Sequence, residues 1–182
     1  TYGAEWLRDN GGICEVAGGR GMLAEQLMLE HDIPVTLIEP RPMRLNRTSR
    51  KRIRKWLRKH SMPVPDDVSK LSPVRQHTEE FYGMAQASIE VQESLRRAAV
   101  IVGMHPDQAT GAVVEAANAL DKPFAVVPCC VFSRKFPDRR TPEGEPVTLY
   151  EDLLAYLHCS REGTRRSELP FEGRNVVLFR ER

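Results

Sequence analysis

The feature that most constrains this chain is a glycine-rich turn between an apolar segment and a helical one. Residues 13–16 predict a β-strand, glycines follow at residues 18, 19 and 21, and residues 22–29 have the apolar pattern of a helix. Glycine adopts a positive φ without strain and lets a ligand approach the backbone, and the first N–H groups of a helix lack intrahelical partners. The sequence therefore predicts a binding loop for a ligand with a ribose or a carboxylate.

Two acidic residues beside this turn narrow the choice of ligand. Glu39 ends the second predicted strand, residues 34–39, where a carboxylate accepts hydrogen bonds from the hydroxyls of any ribose. Glu15 lies four residues before Gly19, and a carboxylate pointing into the turn would repel a diphosphate. These acids favour a nucleoside ligand with a cationic amino-acid group over a dinucleotide.

The spacing Glu15-x-Ala17-x-Gly19-x-Gly21 resembles the first motif of class I S-adenosylmethionine-dependent methyltransferases, acid-x-Gly-x-Gly-x-Gly, with Ala17 in place of the first glycine. The resemblance implies S-adenosylmethionine as cofactor. The cofactor-binding positions that it implies are Glu15, Ala17, Gly18, Gly19, Gly21, Glu39 and Pro40. The segment Gly19-x-Gly21-x-x-Ala24 also fits the dinucleotide fingerprint, so a nucleotide-dependent oxidoreductase is an open alternative.

Strand-like and helix-like segments alternate along the chain. Further strands are predicted at residues 73–78, 98–103, 123–128 and 175–179, and helices at residues 2–9, 88–97, 108–120 and 148–157. Residues 160–168 are predicted to be mobile, and residues 175–179 to close the sheet as its last strand. In the helix 88–97, Ile89, Val91 and Leu95 are expected to be buried. The pattern predicts one α/β domain, residues 1–182, with a single doubly wound, mostly parallel sheet of the Rossmann-like methyltransferase type.

Basic residues are concentrated in one segment. The chain has 27 Lys and Arg against 25 Asp and Glu, yet ten of the basic residues and no acid lie between Arg41 and Lys59. Apolar residues at helical spacing predict a basic amphipathic helix within residues 41–60. Because like charges without compensation repel each other, RNA is the favoured partner, and an anionic membrane surface, a protein partner and plain solubility are alternatives. The predicted RNA-binding residues are Arg50, Lys51, Arg52, Arg54, Lys55 and Arg58.

The second half of the chain carries two further segments. His105-x-x-x-x-Thr110 and Pro128-Cys129-Cys130 are similar to segments that flank the cofactor crevice in methyltransferase-like proteins related to tRNA ribose methylases. This chain departs from that group, with Asp107 where a cysteine is usual and Val131 where a histidine is common. Because ligands bind at the carboxyl ends of parallel strands, residues 15–21, Glu39, residues 105–108 and residues 129–130 are expected around one crevice.

His105 and Asp107 are the catalytic candidates, since either could take a proton from a ribose hydroxyl. The structural alternatives are that Asp107 caps the helix that begins near Gln108 and that His105 is hydrogen-bonded at a strand end. Cys129 and Cys130 could act as nucleophile or metal ligands, but apolar filling of a buried strand end is favoured for them. No metal is predicted.

The cysteine content and the length of the apolar runs indicate the compartment in which the protein is expected. Four cysteines without a repeated Cys-x-x-Cys spacing favour neither a disulfide framework nor a structural zinc site, so an intracellular, reducing compartment is expected. No apolar run approaches the roughly 20 residues that span a bilayer. The start at Thr1 suggests a processed or trimmed chain.

The favoured hypothesis is an S-adenosylmethionine-dependent methyltransferase that modifies RNA, such as tRNA or rRNA. The alternative is a methyltransferase fold retained without turnover as an RNA-binding or ribonucleoprotein-assembly subunit. Ala17 in place of a glycine motivates that alternative.

Overall fold

The structure, a computed structural model, describes residues 3–181. Within them, the strands are β1 Ile13–Val16, β2 Val35–Ile38, β3 Arg75–His77, β4 Val100–Met104, β5 Phe124–Val127, β6 Arg165–Glu168 and β7 Val176–Arg180. The α-helices are α1 Ala4–Asp9, α2 Met22–His31, α3 Arg47–Lys59, α4 Ile89–Arg97, α5 Thr110–Ala119 and α6 Tyr150–Cys159. Residue 2 of the predicted leading helix lies outside the described residues.

All seven of these strands form one sheet, in the order β3-β2-β1-β4-β5-β7-β6. Strands β1 to β5 pair in parallel, and β7 runs antiparallel to both of its neighbours. The chain builds outward from β1 in one direction and from β4 in the other, so the carboxyl ends of these two strands mark the switch point where α/β sheets bind ligands. The predicted class, a single doubly wound, mostly parallel sheet, is confirmed.

The central strands are buried because helices cover both faces of the sheet. All four residues of β1 are buried, and Glu15 is the one charged residue among them. One apolar cluster joins α4, α5 and α6 to the sheet, and a second joins α1 and α2 to it. A buried carboxylate needs hydrogen-bond partners, and for Glu15 these have to come from the backbone around the glycine turn that follows β1.

The carboxyl-terminal part of the sheet differs from the sequence prediction in two places. Residues 160–168, predicted to be mobile, contain the edge strand β6, and residues 176–179 of the predicted last strand belong to β7, which lies between β5 and β6 instead of closing the sheet. Strand β6 has the sequence Arg-Arg-Ser-Glu, and all four residues are exposed. An edge strand of charged residues has no apolar alternation, so nothing in its sequence marks it as a strand.

One predicted core position is also wrong. Val91 and Leu95 of α4 are fully buried, but the side chain of Ile89 is 71% exposed. Ser88 caps this helix by accepting a hydrogen bond from the N–H of Val91, so Ile89 is the first helical residue. It lies about 200° around the helix from Val91 and therefore faces away from the sheet.

The basic segment forms α3, which begins at Arg47 after the side chain of Asn46 caps it through the N–H of Ser49. Residues 41–46 are not helical, since Pro40 and Pro42 interrupt regular structure there. The apolar side of α3 is buried against α2 and the 3-10 turn Val68–Lys70. Among residues 3–181, no helix has the length and apolar character needed to cross a bilayer.

Candidate functional site

The glycine turn between β1 and α2 is built from backbone in left-handed conformation. Ala17, Gly19 and Gly21 have φ values of 54°, 59° and 70°. A Cβ on Gly18 would lie 2.5 Å from the carboxyl carbon of Glu15, whereas a Cβ on Gly19 would meet nothing within 4 Å. The turn therefore packs tightly on Glu15 at Gly18 and is open at Gly19, where a ligand could approach the backbone.

Glu15 is held behind the turn. Its side chain is only 1% exposed, and one of its carboxylate oxygens accepts a hydrogen bond of 3.0 Å from the N–H of Ala24 in α2. Burial raises the pKa of Glu15 to about 7, and the nearby charge of Glu39 contributes in the same direction. Glu15 thus links the end of β1 to the first turn of α2, and its carboxylate does not line the crevice.

Glu39, which directly follows β2, binds the same turn from the other side. Its side chain is 2% exposed, and it accepts hydrogen bonds from the N–H of Gly19 at 3.0 Å and from the N–H of Arg41 at 3.2 Å. The guanidinium Nε of Arg41 lies 2.7 Å from Glu39 Oε1, although the Arg41 side chain is 78% exposed. Glu39 therefore fixes the turn, and on its outer side it pairs with the guanidinium of Arg41, whose side chain extends into solvent.

A crevice of about 360 Å³ opens at the carboxyl ends of β1, β2 and β4. Its wall includes three of the predicted cofactor residues, Ala17, Glu39 and Pro40, and one of the predicted catalytic residues, Asp107. A neighbouring cavity of about 620 Å³ is lined by Gly19 and also by Arg41. Glu15, Gly18 and Gly21 support these walls from behind and line neither cavity.

The sequence prediction missed several residues of this crevice. Arg41, Phe81 and Tyr82 all line it, and Tyr82 is 54% exposed; Gln108, which was expected around the crevice, lines it as well. The signal available in the sequence was the aromatic residue type of Tyr82 in the loop after the third predicted strand, because aromatic side chains often line ligand sites. The contact between Arg41 and Glu39 had no comparable signal beyond the closeness of the two residues in the chain.

The segment after β4 contains two non-glycine residues with positive φ, His105 at 52° and Asp107 at 47°. Such conformations cost free energy and concentrate at functional sites. The N–H of His105 donates to the carbonyl of Val127, and its ring meets Phe171 edge-on at 6.1 Å between centroids. His105 therefore packs beside the crevice, while Asp107 forms part of its wall.

Asp107 does not cap a helix. It is the first residue of the 3-10 turn Asp107–Ala109, whose N-cap is Pro106, and the N-cap of α5 is Ala109. Its Oδ1 instead accepts a hydrogen bond from the thiol of Cys129 at 3.2 Å. The capping hypothesis for Asp107 is therefore wrong, and the carboxylate is directed toward the end of β5.

Cys129 and Cys130 differ in their surroundings. Cys129 is half-buried, and burial together with the hydrogen bond to Asp107 raises its pKa to about 12. Cys130 is exposed, so the expectation that both cysteines fill apolar space is wrong for Cys130. The thiols of both residues and the carboxylate of Asp107 lie within 4.8 Å of one another.

The basic helix α3 is partly neutralised by α2. Arg52 lies 3.4 Å from Glu25 and 3.3 Å from Glu30, and Lys59 lies 2.5 Å from Asp32. The expectation of ten uncompensated charges is therefore wrong, because acids more than 20 residues away in the sequence pack against the helix.

The remaining predicted RNA-binding residues differ in exposure. Arg50 and Arg54 are half-buried, and Arg54 donates to the backbone carbonyl of Asp66 at 3.1 Å. Lys51, Lys55 and Arg58 are exposed and make no ion pair with any residue between 3 and 181. Their spacing of four and three residues places them on one solvent-facing side of α3.

No family model matches the chain, and no match was found among curated proteins. Solved structures of similar fold include a predicted O-methyltransferase from Agrobacterium tumefaciens, 13% identical, with a TM-score of 0.47, covering 92% of this chain and 71% of that one. An rRNA methylase from Streptococcus thermophilus is 9% identical, with a TM-score of 0.45 and coverages of 97% and 89%.

A mutant of MtNAS in complex with S-adenosylmethionine is 11% identical, with a TM-score of 0.43; the match covers 95% of this chain and 55% of that one. At such identities and TM-scores, these likenesses carry no argument about activity. The fold class therefore rests on the strand order of the sheet.

Proposed function

We propose that this chain is an S-adenosylmethionine-dependent methyltransferase that acts on RNA. One observation carries the cofactor assignment: carboxylates occupy the backbone donors of the turn and of the helix behind it. The N–H of Gly19 donates to Glu39, and the N–H of Ala24 donates to Glu15. A dinucleotide would need such donors for its diphosphate, whereas S-adenosylmethionine has no phosphate and carries a cationic amino-acid end.

The crevice suits the nucleoside part of this cofactor. Its volume of about 360 Å³ lies within the range of small-molecule sites. A carboxylate offers about four acceptor positions, and Glu39 uses three of its own for Gly19 and Arg41, so it can accept from a ribose hydroxyl, more so if the exposed Arg41 side chain moves aside. The aromatic ring of Tyr82 on the same wall offers a flat surface for a base.

When bound, S-adenosylmethionine supplies a methyl group activated by its sulfonium. The chain then has to align the acceptor with that methyl group and remove a proton where the acceptor is a hydroxyl. Asp107 is the proton acceptor in this proposal, because its carboxylate lines the crevice. His105 contributes to position instead, by fixing the backbone between β4 and Asp107 through its hydrogen bond to Val127.

RNA as the substrate class is supported by the solvent-facing side of α3. Lys51, Lys55 and Arg58, which pair with no acid in the described part of the chain, present positive charge on one face, as phosphate-binding helices do. The cavity next to Arg41 extends from the glycine turn to the start of this helix, since Gly19 and Asn46 both line it. A structured RNA such as tRNA or rRNA bound to α3 would therefore lie near the cofactor crevice.

Calorimetric titration with S-adenosylhomocysteine tests the cofactor assignment. The protein is expected to bind this ligand, and Gly19→Val is expected to weaken binding at least about tenfold, because a β-branched residue is strained at a φ of 59° and its side chain enters the open side of the turn. Gly144→Val, at another glycine with positive φ in an open loop, serves as the matched control. Binding of NADH instead of S-adenosylhomocysteine would contradict the assignment and favour an oxidoreductase.

The RNA assignment is tested with the charge-reversal pair Lys51→Glu and Lys55→Glu. Binding to total tRNA is expected to weaken, and the slope of log K against log salt is expected to fall by about one to two. The pair Arg75→Glu and Arg96→Glu, two exposed residues outside α3, makes the same change in net charge. If both pairs weaken tRNA binding equally, α3 is not the RNA-binding surface. RNA binding without any S-adenosylhomocysteine binding would favour a subunit that has lost turnover.

A further inference from the structure

Three potential metal ligands meet where β4 and β5 end. Asp107 follows β4, and Cys129 and Cys130 follow β5; one ligand atom from each lies within 4.8 Å of the other two. The closest pair, Cys129 Sγ and Asp107 Oδ1, is separated by 3.2 Å. The sequence places these residues around one crevice but favours apolar filling for Cys129 and Cys130, so it predicts no metal.

The sheet brings these residues together for a simple reason. Strands β4 and β5 are parallel neighbours, and Met104 pairs with Val127 at their carboxyl ends. The two segments that leave the strands therefore emerge side by side. Asp107 is then turned toward β5 by its left-handed backbone, which is stabilised where Thr110 Oγ1 donates to the carbonyl of Asp107 at 2.8 Å.

We propose that Asp107, Cys129 and Cys130 form a binding site for a thiophilic divalent cation, with Zn²⁺ as the best match. Thiolate and carboxylate ligands at about 2.0–2.3 Å suit zinc, and three protein ligands leave a fourth tetrahedral position open. In that geometry the ligand atoms lie roughly 3.3–3.8 Å apart. The present spacing, within 4.8 Å, is close to these distances, and the exposure of Asp107 and Cys130 leaves their side chains room to rotate.

The backbone also permits both cysteines to face one ion. Neighbouring residues of a strand point to opposite sides of the sheet, but β5 ends at Val127 and residues 128–130 are not in a strand. The ion would lie beside the crevice, because its ligand Asp107 is part of the crevice wall. Cation binding requires neither S-adenosylmethionine nor RNA, so the site can be tested apart from the proposed function; while the ion is bound, Asp107 is its ligand and does not act as the proton acceptor proposed above.

Titration of the fully reduced 182-residue chain with Co²⁺ and Zn²⁺ tests this site. Co²⁺ is expected to give a thiolate-to-metal charge-transfer band with the strong visible absorption of a tetrahedral site, and one equivalent of Zn²⁺ is expected to abolish it. Cys130→Ser and Asp107→Asn are each expected to weaken Zn²⁺ binding at least about tenfold, measured by competition with a chromophoric chelator. Cys159→Ser removes another exposed thiol, at the end of α6, and is the matched control.

The outcomes are distinct. A charge-transfer band that is lost in Cys130→Ser and retained in Cys159→Ser supports the site. A band that is absent from the wild-type protein, or that disappears only in Cys159→Ser, overturns it. Cys129→Ser changes a half-buried residue, so its fold is checked by circular dichroism, and Cys130→Ser decides the question if Cys129→Ser does not fold.

Discussion

The ends of β1 and β2 carry acids that look alike in the sequence and differ in the structure. Glu15 and Glu39 are both almost fully buried and both bind the glycine turn region through backbone N–H groups. Glu15 faces the interior, no cation among residues 3–181 lies beside it, and burial raises its pKa to about 7. Glu39 forms an ion pair with Arg41 and lines the crevice.

The difference teaches that burial alone does not identify a binding residue. A carboxylate that is buried without a cation is costly to ionise, so it serves best as a hydrogen-bond acceptor for the backbone. A carboxylate that is paired with an exposed guanidinium can exchange that partner for a ligand. On these grounds Glu39 is the ligand-binding acid in our proposal, and Glu15 is a support for α2.

The largest expected effect is on cofactor affinity, where the two acids should separate. Glu39→Gln is expected to weaken S-adenosylhomocysteine binding by about 10-fold to 100-fold, because it removes a charged acceptor for the ribose. Glu15→Gln keeps an oxygen for the N–H of Ala24 and is expected to change the affinity less than about threefold. Calorimetry measures both. Equal losses in the two variants would erase the distinction between the acids.

The second prediction is that protonation of Glu15 makes the free energy of unfolding depend on pH. The folded state holds the proton of Glu15 up to a pKa of about 7, whereas the unfolded chain loses it at the lower, ordinary value, so the free energy of unfolding should fall as pH rises between these values. From about pH 5 to about pH 8 the fall attributable to Glu15 is on the order of 1–3 kcal/mol. Urea unfolding of the wild type and of Glu15→Gln measures the difference.

The variant should show a flatter profile than the wild type over that range. The acids whose pKa values are lowered by hydrogen bonds and nearby cations, such as Asp32 and Asp152, lose their contribution only at more acidic pH and leave this window undisturbed. Parallel profiles for the two proteins would show that Glu15 is not the titrating group.

The smallest expected effect is at Arg41. If a ribose hydroxyl and the Arg41 guanidinium compete for Glu39, Arg41→Ala should raise the affinity for S-adenosylhomocysteine by about fivefold or less, since exposed ion pairs are weak. Arg44→Ala, which removes a neighbouring exposed cation, is the control. A clear loss of affinity in Arg41→Ala alone would mean that Arg41 binds the ligand instead of competing with it.

The sequence predicted those features of the fold that depend on local pattern. The buried strands β1, β2, β4 and β5 are short apolar runs, and the glycine turn is marked by its composition, so both were predictable. Strand β6 was not, because an exposed edge strand of polar residues lacks any periodic signal. Its pairing with β7 exists only in the assembled sheet.

In the candidate site, too, residue types were predictable from local pattern, but contacts between distant segments were not. Glu15 and Glu39 were recognised by residue type and position, but not their orientation, since a strand covered on both faces gives no alternation from which to infer it. The pairing of Asp107 with Cys129 depends on the register of β4 and β5. The neutralisation of Arg52 and Lys59 depends on how α3 packs on α2, which no local pattern encodes.

Asp32, the C-cap residue of α2, anchors the end of the basic helix α3 to the domain. Two donors from the last turns of α3 bind its carboxylate, the indole N–H of Trp56 at 2.7 Å and the amine of Lys59 at 2.5 Å, and the ring Nε2 of His60, the C-cap residue, lies 3.1 Å away. Substituting Asp32 alone would unfasten that end of α3 while leaving every basic side chain in place. The attraction of the helix for a polyanion could thus be studied separately from the way the helix is anchored to the domain.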